Sequence, residues 1–391
     1  MSISTVMPTY ARTNLVFESG DGSWLTTQDG RQFLDFGSGI AVTALGHTHP
    51  RLLEALTIQA KKLWHCSNLY RIQGQEQLAD RLVSATFAET VFFCNSGAEA
   101  VECSIKMARR FHQGSGKSAR SQIITATGAF HGRTLATISA GGNKNHLDGF
   151  GPAVEGFRHV AFGDLGEARA AVSDQTAAVL VEPVQGESGI QPADYDYLRG
   201  LRDMTNEHGL LLIFDEVQCG MGRTGKLFAH EWAGVEPDIM SAAKALGGGF
   251  PIGACLATGK AATNMVAGTH GSTFGGNPLG CAVANVVLDV ILEEGFLDRV
   301  NEIGEKLMAA SVDLVARHPS VFETVRGKGL MIGLKCKIPN TDVIECLMGN
   351  GMLTVVGGDN VVRLLPALTI GEKEINAALK ILEQSAAQLE M

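Results

Sequence analysis

The chain has no run of about 18 consecutive apolar residues, so no segment reads as a membrane-spanning helix. It has no long run of one charge either. Its largest basic clusters are pairs, Lys61-Lys62 and Arg109-Arg110, on a net charge of −9. That balance argues against nucleic acid and anionic membranes as partners. No CxxC pair occurs among the eight cysteines, at 66, 94, 103, 219, 255, 281, 336 and 346. Scattered mostly through apolar stretches, they read as reduced, buried thiols of a cytoplasmic protein, and no metal is assigned. The first residues lack a basic stretch followed by an apolar one, so no secretory signal is expected. Repeats and low-complexity segments are missing too. What is there is 391 residues, 45% apolar and 19% charged. These are the proportions of a soluble globular protein with room for one large and one smaller domain.

Residues 14–36 alternate apolar and polar side chains around Ser19-Gly20-Asp21-Gly22 and Gln28-Asp29-Gly30, which predicts a small β-meander. From about 50 to 275, short apolar runs alternate with helical stretches. Candidate strands are 91–94, 122–126, 158–162, 177–182, 210–215, 238–241 and 252–257. Their apolar runs are continuous, as in strands covered on both faces of a mostly parallel sheet. Helical periodicity marks 75–87 and 98–112. After Asn277-Pro278 the pattern becomes α+β. Helices are expected over 279–293 and 296–317, parted by Gly295, and over 372–389. Strands are expected near 321–335, with a hairpin of 353–356 and 361–365 turned by Gly357-Gly358-Asp359-Asn360. The expected division is an N-terminal arm over 1–49 that packs with the small domain, a large α/β domain over 50–277 with a mostly parallel seven-stranded sheet, and a smaller α+β domain over 278–391.

In open parallel sheets, ligands bind beyond the carboxyl ends of the strands, and the unusual residues of this chain fall there. After the first strand come Asn95-Ser96-Gly97-Ala98-Glu99-Ala100, small residues opening a helix. Free N–H groups at a helix start suit a phosphate, although Ser96 reads equally as a plain N-cap. After the second strand stands Gly128-Ala129-Phe130-His131-Gly132-Arg133. Phe130 can stack on a planar ring and Arg133 can grip a carboxylate, while His131 reads equally as a satisfied loop histidine. Glu182 closes a buried run, which demands a partner, structural or functional. Glu187 follows in a glycine-rich loop, where it can neutralise an arginine. Asp215 ends the apolar run 210–214, with Glu216, Val217 and Gln218 behind it. Val217 can face a ring opposite Phe130, Gln218 can reach a ring oxygen, and Glu216 reads as a structural hydrogen-bonding acid. Lys244 comes 29 residues after Asp215, among small residues and before Gly247-Gly248-Gly249. A desolvated lysine is an amine nucleophile. An acid on a buried strand and such a lysine are what pyridoxal phosphate chemistry needs.

Two rival readings fall short. Leu210–Glu216 also looks like the acid-ended strand of a P-loop nucleotide hydrolase. Gly114-Ser115-Gly116-Lys117-Ser118, however, has Phe111 where the first glycine belongs and follows a helix instead of a strand. Gly220-Met221-Gly222-Arg223-Thr224-Gly225-Lys226 has Leu227 where a hydroxyl must hold magnesium. A non-catalytic binding protein leaves Lys244, Asp215 and the arginines without a common purpose.

Taken together, the motifs resemble those of the class III (subgroup II) pyridoxal-phosphate aminotransferases of fold type I. The likeness covers nearly the whole chain. It rests on Asn95–Ala100, Phe130–Arg133, Val181–Glu187, Asp215–Gly225 and Gly271-Ser272-Thr273-Phe274-Gly275-Gly276-Asn277-Pro278, in that order. Trp64-His65-Cys66-Ser67-Asn68-Leu69-Tyr70 and the compact length incline it towards the branch that acts on N2-acetylornithine. Ornithine, succinylornithine, succinyl-diaminopimelate and 4-aminobutyrate are the alternative donors within the family. The resemblance implies that Lys244 carries the cofactor covalently and shuttles the proton, while Asp215 pairs with the pyridinium nitrogen. It implies a phosphate site of Ser96, Gly97 and Ala98, completed by Thr273 of a neighbouring subunit in a homodimer with shared sites. Phe130 would stack on the ring, with Glu182, Val217 and Gln218 around it. Arg133 and Arg363 would hold the carboxylates of amino donor and 2-oxoglutarate, with Ser272 near the acyl group. Glu187 would pair with Arg363 and yield it to 2-oxoglutarate. On the residues alone, Arg363 reads as a strand-surface cation and Thr273 as a turn residue.

Overall fold

The computed structural model describes residues 5–390; residues 1–4 and 391, the outer ends of the expected arm and small domain, lie outside it. The meander forms as expected: β1 (Phe17–Asp21), β2 (Trp24–Thr27) and β3 (Gln32–Asp35) pair antiparallel in sequence order. All seven strands expected in the large segment then appear. They are β4 (Thr90–Cys94), β5 (Gln122–Ala126), β6 (Phe157–Val160) and β7 (Thr176–Val181), then, beyond a small hairpin of β8 (Val184–Gln185) and β9 (Gln191–Pro192), β10 (Leu211–Asp215), β11 (Ile239–Ala242) and β12 (Gly253–Ala257). They form one sheet in the order β4-β12-β11-β10-β7-β5-β6. The pairs β11–β10, β10–β7, β7–β5 and β5–β6 are parallel, whereas β12 runs antiparallel to both its neighbours. Six strands therefore point one way and finish along one edge.

Side chains alternate between two apolar layers, which explains why the strands read as unbroken apolar runs. Val179, Val181, Leu212 and Phe214 face Tyr197, Leu198, Leu201 and Met204 of the helix Tyr195–His208. Ala178, Leu180, Leu211 and Ile213 face Val101, Ile105 and Ala108 of the helix Gly97–Gly114. Each fully buried Leu, Val or Phe contributes about 1.5–3 kcal/mol. With both faces covered, the sheet is packed on either side up to the carboxyl edge that presents the site's side chains.

The C-terminal part is α+β. Strands β13 (Phe322–Lys328), β14 (Met331–Cys336), β15 (Met352–Leu353), β16 (Val355–Gly357) and β17 (Val361–Leu364) follow the helices Pro278–Ile291 and Phe296–Arg317. The expected strand 353–356 is divided. Met352 and Leu353 pair in parallel with Leu34 and Asp35 of the meander, while β16 pairs with β17 in a second sheet, β13-β14-β17-β16. The hairpin turn uses Asp359 and Asn360 at φ of +53° and +55°, a region these side chains tolerate. Among the described residues, no helix is long and apolar enough to cross a membrane.

Candidate active site

The segments that leave β4, β5, β7, β10 and β11 converge on a cavity of about 300 Å³. Asp215, the last residue of β10, is 3% exposed beneath it. Its Oδ1 accepts the N–H of Val217 at 3.0 Å, and its Oδ2 lies 2.8 Å from Nδ1 of His131. Burial alone pushes the imidazole of His131 down. The hydrogen bond and charge of Asp215, with Glu182 beyond, outweigh it and hold His131 above its ordinary pKa.

Lys244 opens a tight turn directly after β11, at φ +46°, and faces the cavity half-buried. Burial pulls its amine down to about 8; Asp215 opposes the fall, Arg363 adds to it, and Glu182 and Glu187 oppose it further. Glu182 follows β7 and accepts the N–H of Phe130 through Oε2 at 3.1 Å. Burial pushes its carboxyl up, against the opposing charge of His131.

Ser96 is the N-cap of the helix Gly97–Gly114 and accepts the N–H of Glu99 at 3.2 Å. Gly97 and Ala98, the first two helical residues, line the cavity. Their N–H groups lack intrahelical acceptors, as at every helix start. A Cβ on Gly97 would lie 2.6 Å from Cγ1 of Val217, so only glycine lets the helix start approach that wall. Gly132, at φ +128°, abuts Ala98 in the same way and seats the Phe130–Arg133 loop on the helix start. The guanidinium of Arg133 lies 5.6 Å from the centre of the Phe130 ring, and Arg133 is exposed at the mouth. The Oε1 of Gln218 is buried without a hydrogen-bond partner, close against Gly186.

Arg363 is 1% exposed, against the bare-sequence reading of a strand-surface cation. Its Nη2 lies 3.3 Å from Oε2 of Glu187, and its Nε and Nη2 donate to the carbonyl of Val356 at 3.1 and 2.7 Å. Its Nη1 is buried with no partner. Burial pulls the guanidinium down and Glu187 opposes the fall.

Ser272 and Thr273 do not line this cavity. Ser272 Oγ accepts from Asn95 Nδ2 at 3.1 Å and from the N–H of Gly275 at 3.0 Å, and Thr273 is exposed beside it. Glu216 turns away from the cavity and accepts the N–H groups of Ala229 and His230 at 2.7 and 2.8 Å, the structural duty read for it. Two residues read either way on the sequence alone: Ser96, which is the N-cap of its helix, and His131. His131 is buried against Asp215, and no periodicity tells which way a loop histidine points. The loop around Gly114–Ser118 follows a helix and precedes β5, the wrong order for a nucleotide-binding loop.

These residues fit pyridoxal phosphate. A helix start that no Cβ may crowd, an aromatic, a buried acid, an unpartnered amide oxygen and a lysine of lowered pKa surround one cavity.

The family described as Aminotransferase class-III matches residues 6–386. The acetylornithine aminotransferase of Mesorhizobium japonicum is 57% identical over 100% of this chain and 98% of its own. Among solved structures, the N-acetylornithine aminotransferase of Stenotrophomonas maltophilia superposes with a TM-score of 0.85 at 38% identity, over 97% of this chain and 98% of its own. The ornithine aminotransferase of Toxoplasma gondii superposes with a TM-score of 0.95 at 30% identity, over 99% and 93%.

Proposed function

The chain belongs to the class-III aminotransferases, and from that premise we propose that it moves the terminal amine of N2-acetylornithine to 2-oxoglutarate. The products are N-acetylglutamate semialdehyde and glutamate, as in arginine biosynthesis. Family membership makes it a pyridoxal-phosphate-dependent enzyme. The choice of donor is carried by the full-length 57% identity to a protein named for acetylornithine. Ornithine, the donor named for a well-superposed structure, has only 30% identity behind it.

Bound pyridoxal phosphate supplies an aldehyde that accepts an amine and a ring that takes up the electron pair left on the substrate carbon. Lys244 Nζ would hold the cofactor and, once freed as a neutral amine, would carry the proton from the donor carbon to the cofactor's former aldehyde carbon. Asp215, oriented by His131, would pair with the ring nitrogen, and Glu182 would close the wall behind them. Ser96, Gly97 and Ala98 bind the phosphate at the helix start. Phe130 and Val217 would take the two ring faces, and Gln218 would approach the ring oxygen. Arg133 and Arg363 hold substrate carboxylates. Glu187 neutralises Arg363 until 2-oxoglutarate displaces it, so that one cavity serves two substrates in turn. Thr273 completes the phosphate site of a neighbouring subunit, with Ser272 close to its acyl group, in a homodimer with two shared sites. The three-part division into 1–49, 50–277 and 278–391 belongs to the same reading, as does a cytoplasmic location, which the free cysteines favour.

A donor panel with 2-oxoglutarate as acceptor, followed by glutamate release, tests the reading. N2-acetylornithine should give the highest kcat/KM. A preference of about tenfold or more for ornithine or 4-aminobutyrate would reassign the donor.

A further inference from the structure

Four consecutive residues, Ser38, Gly39, Ile40 and Ala41, lie at φ of +47°, +62°, +66° and +63°. Residues with a Cβ resist this left-handed region, and three of the four carry one. Such a run persists only where its surroundings impose it. Asp35 supplies the restraint. Its Oδ1 accepts the N–H groups of Gly37 and Ser38 at 2.9 and 2.8 Å, and its Oδ2 lies 2.8 Å from Nε2 of His47. Asp35 is 5% exposed and His47 mostly buried. The meander fixes His47 in turn. Gly22 exchanges backbone hydrogen bonds with it at 3.1 and 2.7 Å, and a Cβ on Gly20 would lie 2.7 Å from its own Cβ.

What this turn leans on is the surroundings of Arg363. Phe36 donates its N–H to the carbonyl of Leu353 at 2.9 Å and accepts the N–H of Leu365 at 2.6 Å, bracketing the hairpin that carries Arg363. Gly37 abuts Val355, where a Cβ would lie 3.0 Å from Cγ2. The next residue, Val356, provides the carbonyl that holds Arg363. Ala41 packs with Val184, Cys219 and Leu365. The turn is thus wedged between the hairpin and the large sheet's loops.

We propose that Asp35 and His47 are positioning residues for the carboxylate substrate. They hold the left-handed turn against Val355 and Leu365 and thereby fix the guanidinium of Arg363. Neither lines the cavity. The proposal rests on the reading of Arg363 as a carboxylate anchor.

The test compares holoenzyme variants by steady-state kinetics with 2-oxoglutarate varied, and by amide hydrogen exchange. Asp35→Ala should raise KM for 2-oxoglutarate about tenfold while kcat stays within about twofold, and the amides of Gly37 and Ser38 should lose protection. Asp35→Asn keeps the accepting oxygen and should remain near wild type. Adding Ser38→Gly and Ala41→Gly to Asp35→Ala should restore KM, because glycine enters the left-handed region freely. If Asp35→Ala does not fold, His47→Ala removes one partner of the carboxylate and is read the same way. An unchanged KM despite lost protection, or no rescue by the glycines, overturns the proposal. Arg363→Lys separates the two readings. If it leaves KM for 2-oxoglutarate unchanged, the anchor reading falls and the proposal with it. If it raises KM while Asp35→Ala does not, only the proposal falls.

Discussion

With its pKa pulled down to about 8 by burial, the Lys244 amine is substantially neutral at a pH where an ordinary lysine is almost wholly charged. The sign follows from burial, which disfavours the ammonium form of Lys244, so the proton leaves at lower pH than it would in water. Recombination of pyridoxal phosphate with the stripped enzyme requires the neutral amine. Its rate should therefore climb with pH and level off above about 8, which stopped-flow absorbance can follow. A rate still climbing near pH 10 would mean an amine no different from a solvated lysine. Lys244→Ala should lose roughly a thousandfold or more in turnover while still binding the cofactor reversibly, as seen by its absorbance in equilibrium dialysis. Near-normal steady-state rates in that variant would remove Lys244 from the chemistry. Both Lys244 and Asp215 were legible in the sequence because a charge after a buried apolar run is costly unless it has work to do. His131 was not, since a glycine-bounded loop leaves its direction open. Arg363 was legible only through family likeness, because a cation in a short strand looks the same whether it faces water or Glu187.

At the level of the element, the decisive piece is the start of the helix Gly97–Gly114. It lies against Val217 so closely that a methyl group on Gly97 would stand 2.6 Å from Cγ1. Either Val217 or the helix start must move aside, and both line the cavity. Gly97→Ala should accordingly weaken cofactor binding about tenfold or more, with the melting temperature of the stripped protein little changed. Equilibrium titration of the stripped variant with pyridoxal phosphate measures this. Wild-type affinity would mean that the approach of helix and loop is slack. The strands of the large sheet were legible because burial on two faces leaves an unbroken apolar run. The reversal of β12 was not, because strand direction leaves no mark on such a run. Nor was the helix Tyr195–His208 read, although Asp194 caps it through the N–H of Asp196 at 2.7 Å and Gly209 ends it at φ +62°. Its polar face dilutes the apolar period that marks it. The division of the expected strand 353–356 depends on the meander, about 320 residues earlier in the chain, and no local pattern reports a partner so distant.

For the whole molecule, the decisive residue is Thr273. In one chain it stands outside the cavity, on a surface where Trp64, Leu69, Tyr70 and Phe274 are 65%, 87%, 69% and 60% exposed. Apolar side chains gathered in the open mark a surface made to be covered. Asn68 ties the two segments of that surface together, donating to the carbonyls of Ser272 and Gly275 at 3.0 and 2.9 Å. If a second copy covers it, Thr273 reaches the partner's phosphate site and each site draws on both chains. Hybrid dimers decide the matter. On that arrangement Thr273→Asp would bring a negative charge to the partner's phosphate site, so that variant should be nearly inactive alone, as Lys244→Ala should be. In a hybrid of the two, a shared-site arrangement leaves one site with both defects and the other with neither. Random pairing of equal amounts makes about half the dimers hybrid, each with one working site of two, so activity should return to about a quarter of wild type. If Thr273 instead served its own chain's cavity, every site in the mixture would carry one defect and activity would stay at the level of the parents. The mixture must be made by co-expression or by refolding together, so that the dimers form at random, and the recovered activity should fall when either parent is in excess.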